Sequence, residues 1–153
     1  SRAPPRKNVT KNEMEANTTN ALTGIFSGLF GLVTPRTLIP NYKLKMNVQA
    51  LQYFWRPILT NILKEEELVI DLLPQVHRKS YDKKEVNVIE VEFLIFNTNT
   101  EKTSTAGHYG KAVKGEFIRF MALNNVKSID DFKGFAYESF KWNGKSFVKE
   151  VNE

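Results

Sequence analysis

Residues 85–96 read EVNVIEVEFLIF, and this stretch decides the fold class. Apolar and polar side chains alternate along it (Val86 and Val88, then Val91, Phe93 and Ile95), the period of a half-buried strand. A strand over Glu85–Phe96 is therefore expected. After it, Asn97–Lys102 has the residues of a hairpin turn, and Thr103–Tyr109 reads as the returning strand. The period then changes. From Lys111 to Asn125 the apolar residues Val113, Phe117 and Phe120 recur at helical spacing, with Met121 and Leu123 beside them. Ser128-Ile129-Asp130-Asp131 fits the capping pattern of a short helix. Further on, Trp142-Asn143-Gly144-Lys145 holds the Asn-Gly pair of a tight hairpin, flanked by Tyr137–Phe140 and Ser146–Val151.

Towards the N-terminus, Glu67–Leu73 is a compact apolar run that predicts a buried strand. Val48–Lys64 predicts a helix with Leu51, Trp55, Ile58, Leu59 and Ile62 on one face. Pro57 either kinks that helix or lies in the first turn of a shorter one starting near Arg56. Tyr42–Met46 alternates like a strand. Gly24–Val33 reads as a strand running into a glycine-bearing turn. Residues 1–20 have little to bury and are expected to be poorly ordered, with a short helix over Thr10–Ala16. Strands and helices follow one another without regular βαβ alternation. The expectation is an α+β domain over residues 21–153, with a mixed or antiparallel sheet and packed helices.

The composition excludes several chemistries. With 153 residues there is room for one ordinary domain, and eleven Phe and two Trp supply its bulk. There is no cysteine, which excludes disulfides, thiolate metal sites and a Cys nucleophile. No apolar run approaches the roughly 20 residues that span a bilayer, so a soluble cytoplasmic protein without a membrane partner is expected. The net charge of +5 is compatible with an anionic partner.

Candidate catalytic groups are sparse. The two histidines, His77 and His108, have no second histidine at i+3 or i+4, so no metal site is expected. Ser27 does not sit in a G-x-S-x-G turn, and neither G-x-x-x-x-G-K-[ST] nor G-x-G-x-x-G occurs. No catalytic residue and no cofactor is expected. Glu65-Glu66-Glu67 reads as a solvated helix end. One region stands out: on the helix at 111–125, Lys111, Lys114 and Arg119 fall opposite Val113, Phe117 and Phe120, around Gly115 and Ala122. Such a face suits a phosphodiester backbone, although amphipathic helices often carry cations on their wet side. Phe132-Lys133-Gly134-Phe135 follows the short helix at 128–131. That arrangement is loosely like hairpin elements that hold DNA through main-chain N–H groups and lysine.

Four blocks, in order, resemble the YaaA family of peroxide-stress proteins. Ser27-Gly28-Leu29-Phe30-Gly31-Leu32-Val33-Thr34-Pro35 is similar to the family's S-G-L-Y-G-V-L-R-P. Pro40-Asn41-Tyr42-Lys43-Leu44-Lys45-Met46 resembles its P-Y-R-L-E-M. Tyr53-Phe54-Trp55 stands where the family has F-W before a helix. In Tyr109–Arg119, residues Lys111, Lys114, Gly115 and Arg119 take the places of K, R, G and R in F-Y-A-K-x-A-R-G-x-M-x-R. The resemblance runs from about Phe26 onward and covers the C-terminal part of the family. The longer N-terminal half finds no counterpart, so the chain reads as a truncated or divergent member.

The resemblance implies an unusual α+β fold with a positively charged cleft, a helix-hairpin-helix-like element, and cytoplasmic DNA binding in the peroxide-stress response. On that basis Lys111, Lys114, Gly115 and Arg119 are the expected phosphate contacts, and Lys43, Lys45, Lys127 and Lys133 widen the positive surface. Binding of this kind is sequence-tolerant. Two other readings remain: an enzyme acting on a nucleotide or phosphorylated substrate with Tyr109 or His108 as acid or base, and a partner-binding fragment.

Overall fold

The computed structural model describes residues 23–28, 31–38, 46 and 49–153. The expected poorly ordered segment at 1–20, with its short helix, lies outside these residues, as does all of the expected strand at 42–46 except Met46. The chain divides into two compact units, one over 21–90 and the other over the described residues 91–153.

The unit at 21–90 opens with a hairpin. Strand β1 (Ile25–Ser27) pairs antiparallel with β2 (Gly31–Val33), Ile25 opposite Val33 and Ser27 opposite Gly31. The strand running into a glycine-bearing turn, expected over Gly24–Val33, is thus a pair of short strands. Gly31 has φ +74°, a conformation open to glycine.

Helix α1 (Gln49–Leu63) runs through Pro57 without restarting there. Its buried residues are Gln52, Leu59, Thr60 and Leu63, while Ile58 and Ile62 are 40% and 44% exposed. The buried stripe is therefore rotated from the expected one, because two polar side chains are satisfied inside. Gln52 Nε2 donates to the Val76 carbonyl at 2.6 Å. Thr60 Oγ1 donates to the Arg56 carbonyl at 2.6 Å and accepts the Asp82 N–H at 2.9 Å. A buried polar group costs little when its bonds are made inside, and no hydropathy pattern records that.

Strand β3 (Val69–Asp71) pairs parallel with β4 (Val88–Glu90), and a 3₁₀ helix over Gln75–Ser80 lies in the connection. The core of this unit holds Met46, Leu59, Leu63, Tyr81 and Val86, with Phe26, Leu32, Leu51 and Trp55 packed against it.

The unit at 91–153 contains a four-stranded mixed sheet and the second α-helix. Strands β5 (Phe93–Asn97), β6 (Lys102–Thr105), β7 (Lys141–Trp142) and β8 (Phe147–Val151) lie in the order β6-β5-β8-β7. The flanking pairs are antiparallel and the central β5–β8 pair is parallel. The strand expected over 85–96 is broken at Val91-Glu92, so β4 and β5 belong to different sheets. The reason is a slip of phase. Buried Val86 is at an even position and buried Val91 and Phe93 at odd ones, and one strand cannot keep both sets on one face. The later strand expected at 137–140 forms at Lys141–Trp142, with only an isolated bridge between Tyr137 and Phe140.

Helix α2 (Tyr109–Asn124) covers the expected span. Its Phe117 joins an aromatic core. Phe93 and Phe147, paired across the parallel strands, stack at 5.1 Å with rings 7° from parallel. Phe117 meets Phe93, Phe132, Phe135 and Phe147 edge-on at 5.1–5.7 Å. Each fully buried ring contributes about 1.5–3 kcal/mol by leaving water. With separate small sheets, one of them mixed, and packed helices, the chain is α+β.

Candidate nucleic-acid interface

Helix α2 begins after Gly107, at φ +55°, and has no proline to interrupt it. It ends at Asn125, whose left-handed backbone (φ 49°) sends its N–H back to the Met121 carbonyl. Val113 and Phe117 are wholly buried, which fixes the helix's rotation about its axis.

That rotation leaves Lys111 and Gly115 exposed and Lys114 and Arg119 half-buried. A Cβ placed on Gly115 would meet nothing within 4 Å, so the surface there is open. Ala122, expected on the same side, is instead buried at 4% exposure. The open face is consequently confined to the first turns of α2, and it closes over the last. Arg119 lies at its margin, and its Nη2 is buried with no hydrogen-bond partner among the described residues. At the helix start, Lys149 of β8 lies over the ring of Tyr109, 4.8 Å from its centre. This further cation was missed from the sequence, since only strand pairing brings residue 149 beside residue 109.

Lys127 and Lys133 are both exposed on the segment after α2. Ser128 opens a 3₁₀ helix over Ile129–Gly134 through a capping box with Asp131. The Asp131 carboxylate accepts the N–H of Lys127 at 3.0 Å and that of Ser128 at 3.2 Å. These two backbone bonds hold its carboxyl below the usual carboxylate range. The N–H groups of Lys127 and Ser128 are thus turned to an internal acceptor. Lys43 and Lys45 lie outside the described residues.

A second polar centre lies in the unit at 21–90 and was not foreseen. Tyr81 Oη donates to Asp71 Oδ2 at 2.5 Å, and Asp71 Oδ1 accepts the Leu73 N–H at 2.7 Å. Arg78 Nε is 3.4 Å from Asp71 Oδ2, and its Nη1 is 3.7 Å from Glu90 Oε2. Lys83 reaches the other oxygen of Glu90 at 3.5 Å. Burial, followed by the Asp71 carboxylate, pushes the Tyr81 hydroxyl well above its ordinary value. The centre joins β3, β4 and the 3₁₀ helix between them. Among the described residues no group of three His, Cys, Asp or Glu is placed to hold a metal ion, and no helix is long and apolar enough to cross a membrane.

Comparison with known proteins identifies the family. A family described as "Peroxide stress protein YaaA" matches residues 6–146, so the match extends into the N-terminal segment where no resemblance was seen. A UPF0246 protein of Flavobacterium johnsoniae is 31% identical over 131 residues, covering 77% of this chain and 51% of the relative. A UPF0246 protein of Neisseria meningitidis serogroup A is 28% identical over 151 residues, covering 85% and 58%. One from Phocaeicola vulgatus is 30% identical over 134 residues, covering 77% and 52%. The chain spans about half the length of these relatives. With 141 residues inside the family match, from 6 to 146, the chain belongs to the peroxide stress protein YaaA family.

Proposed function

We propose that this chain binds the phosphate backbone of DNA, without sequence preference, in the cytoplasmic response to peroxide. Family membership supports the stress-related role. The observation that carries the DNA reading is the open start of α2, with Lys111 and Gly115 exposed and Lys114 and Arg119 at its margins. A backbone can approach closely over Gly115, and the cations then meet phosphate oxygens. Lys149, Lys127 and Lys133 extend the positive surface, with Lys43 and Lys45 as further candidates. Lys127 contributes through its side chain, since Asp131 occupies its N–H and that of Ser128.

The test is fluorescence anisotropy with a short duplex at two salt concentrations. Each phosphate neutralised adds about 0.9 to the slope of log affinity against log salt. Replacing Lys111, Lys114 and Arg119 together by Gln is expected to weaken binding and lower the slope by two to three such increments. Unchanged affinity and slope would sink the reading. Absence of binding even at low salt would favour the partner-binding alternative. That alternative has its own support: Phe54, Ile58 and Ile62, four residues apart on α1, are 60%, 40% and 44% exposed.

A further inference from the structure

We infer that a groove between α1 and the 3₁₀ helix at 75–80 is a second site, which takes one unpaired nucleotide by stacking its base on Tyr53 and holding its phosphate with Arg56 and Lys79. It lies in the unit at 21–90 and does not rest on the reading of α2, which belongs to the other unit.

Two side chain to backbone bonds hold the walls together, Gln52 Nε2 to the Val76 carbonyl and Arg56 Nε to the Lys79 carbonyl at 2.8 Å. Between the walls is a space of about 340 Å³ lined by Gln49, Gln52, Tyr53, Arg56, Val76 and Lys79. That volume lies at the small end of ligand sites and matches a ligand the size of a single nucleotide.

Its chemistry is selective. Two cations line it and no carboxylate does. Tyr53 is 60% exposed, an unusual position for a ring whose burial is favourable. The Arg56 guanidinium carbon lies 5.1 Å from the centre of that ring. Nε tethers the guanidinium, so the Tyr53–Arg56 pair is held ready and loses little freedom on binding. An aromatic face with an arginine on it and a lysine nearby is the stacking platform of single-strand binding sites. Gln49 adds a polar group at the edge, and Val76, 51% exposed, adds an apolar one. Bases in a duplex are already stacked and paired, so the ligand is a free nucleotide or a nucleotide within a single strand.

Anisotropy with labelled dT12 and with a 12-base-pair duplex tests the assignment on the whole chain. Tyr53→Leu is expected to weaken dT12 binding about tenfold while leaving duplex affinity unchanged. Tyr53→Phe keeps the ring and is expected to bind as the unsubstituted chain does. Lys79→Gln, at an exposed position, is expected to lower the single-strand salt slope by about 0.7. Competition by dTMP separates the two sources: Tyr53-dependent displacement at matching concentration identifies a free nucleotide, and its absence identifies a strand. Wild-type dT12 affinity in Tyr53→Leu, or equal losses for dT12 and duplex, would overturn the proposal. The triple α2 variant keeps its Tyr53-dependent difference if this site stands while the α2 reading fails.

Discussion

Gly31 shows how much one residue decides. A Cβ there would lie 2.5 Å from Cζ3 of Trp55, and the backbone sits at φ +74°. Trp55 cannot move aside freely, because its Nε1 donates to the Gly28 carbonyl at 2.9 Å. Two of the blocks that resemble the family, Ser27–Pro35 and Tyr53–Trp55, therefore lock together. Gly31→Ala is expected to cost about 2–4 kcal/mol in urea unfolding and to shift the Trp fluorescence. Gly144→Ala, at φ +95° with open space around it, is the matched control and should cost only about 1–2 kcal/mol. At this scale the sequence showed which glycines and aromatics mattered and not what they touched. The nearness of Lys79 to Tyr53 and Arg56 went unnoticed because a bond from the Arg56 side chain to the Lys79 carbonyl spans 23 residues.

Among the elements, the helices were the most legible and the short strands the least. Fifteen- and sixteen-residue helices repeat their pattern over several turns. A three-residue strand such as β3 gives the period almost no room to show. The open face of α2 was legible as a set of angles, but the burial of Ala122 and half-burial of Arg119 depend on what packs alongside. The capping box at Ser128 was read from spacing alone and formed as expected. Its charge gives a pH signature. A carboxyl whose pKa falls on folding stabilises the fold above its unfolded value, near 3.9, and loses that contribution as pH drops through the lower folded value. Asp131→Ala is therefore expected to lower the urea midpoint most at pH 7, with the gap narrowing below about pH 4. A gap constant from pH 7 to pH 3 would show that the charge contributes nothing.

In the whole molecule, each unit has a core of its own, and the fold class was legible where the unit boundary was not. The alternation at 85–96 looked continuous, and only its slip of phase at Val91 marks the place where one unit ends. Removing a central ring should show the division directly. Phe117→Ala is expected to cost about 3–5 kcal/mol, with amide exchange accelerating through 91–153 and not through the helix at 49–63. The parallel β5–β8 pair also dictates an order of events in time. β5 with β6, and β7 with β8, are local ribbons that close in microseconds from neighbouring residues. Joining them brings Phe93 to Phe147, 54 positions away, and this slow closure is the step at which the sheet becomes one piece. Until it happens, both ribbons expose a bare inner edge, the moment when the nascent fold is most open to pairing with the wrong chain.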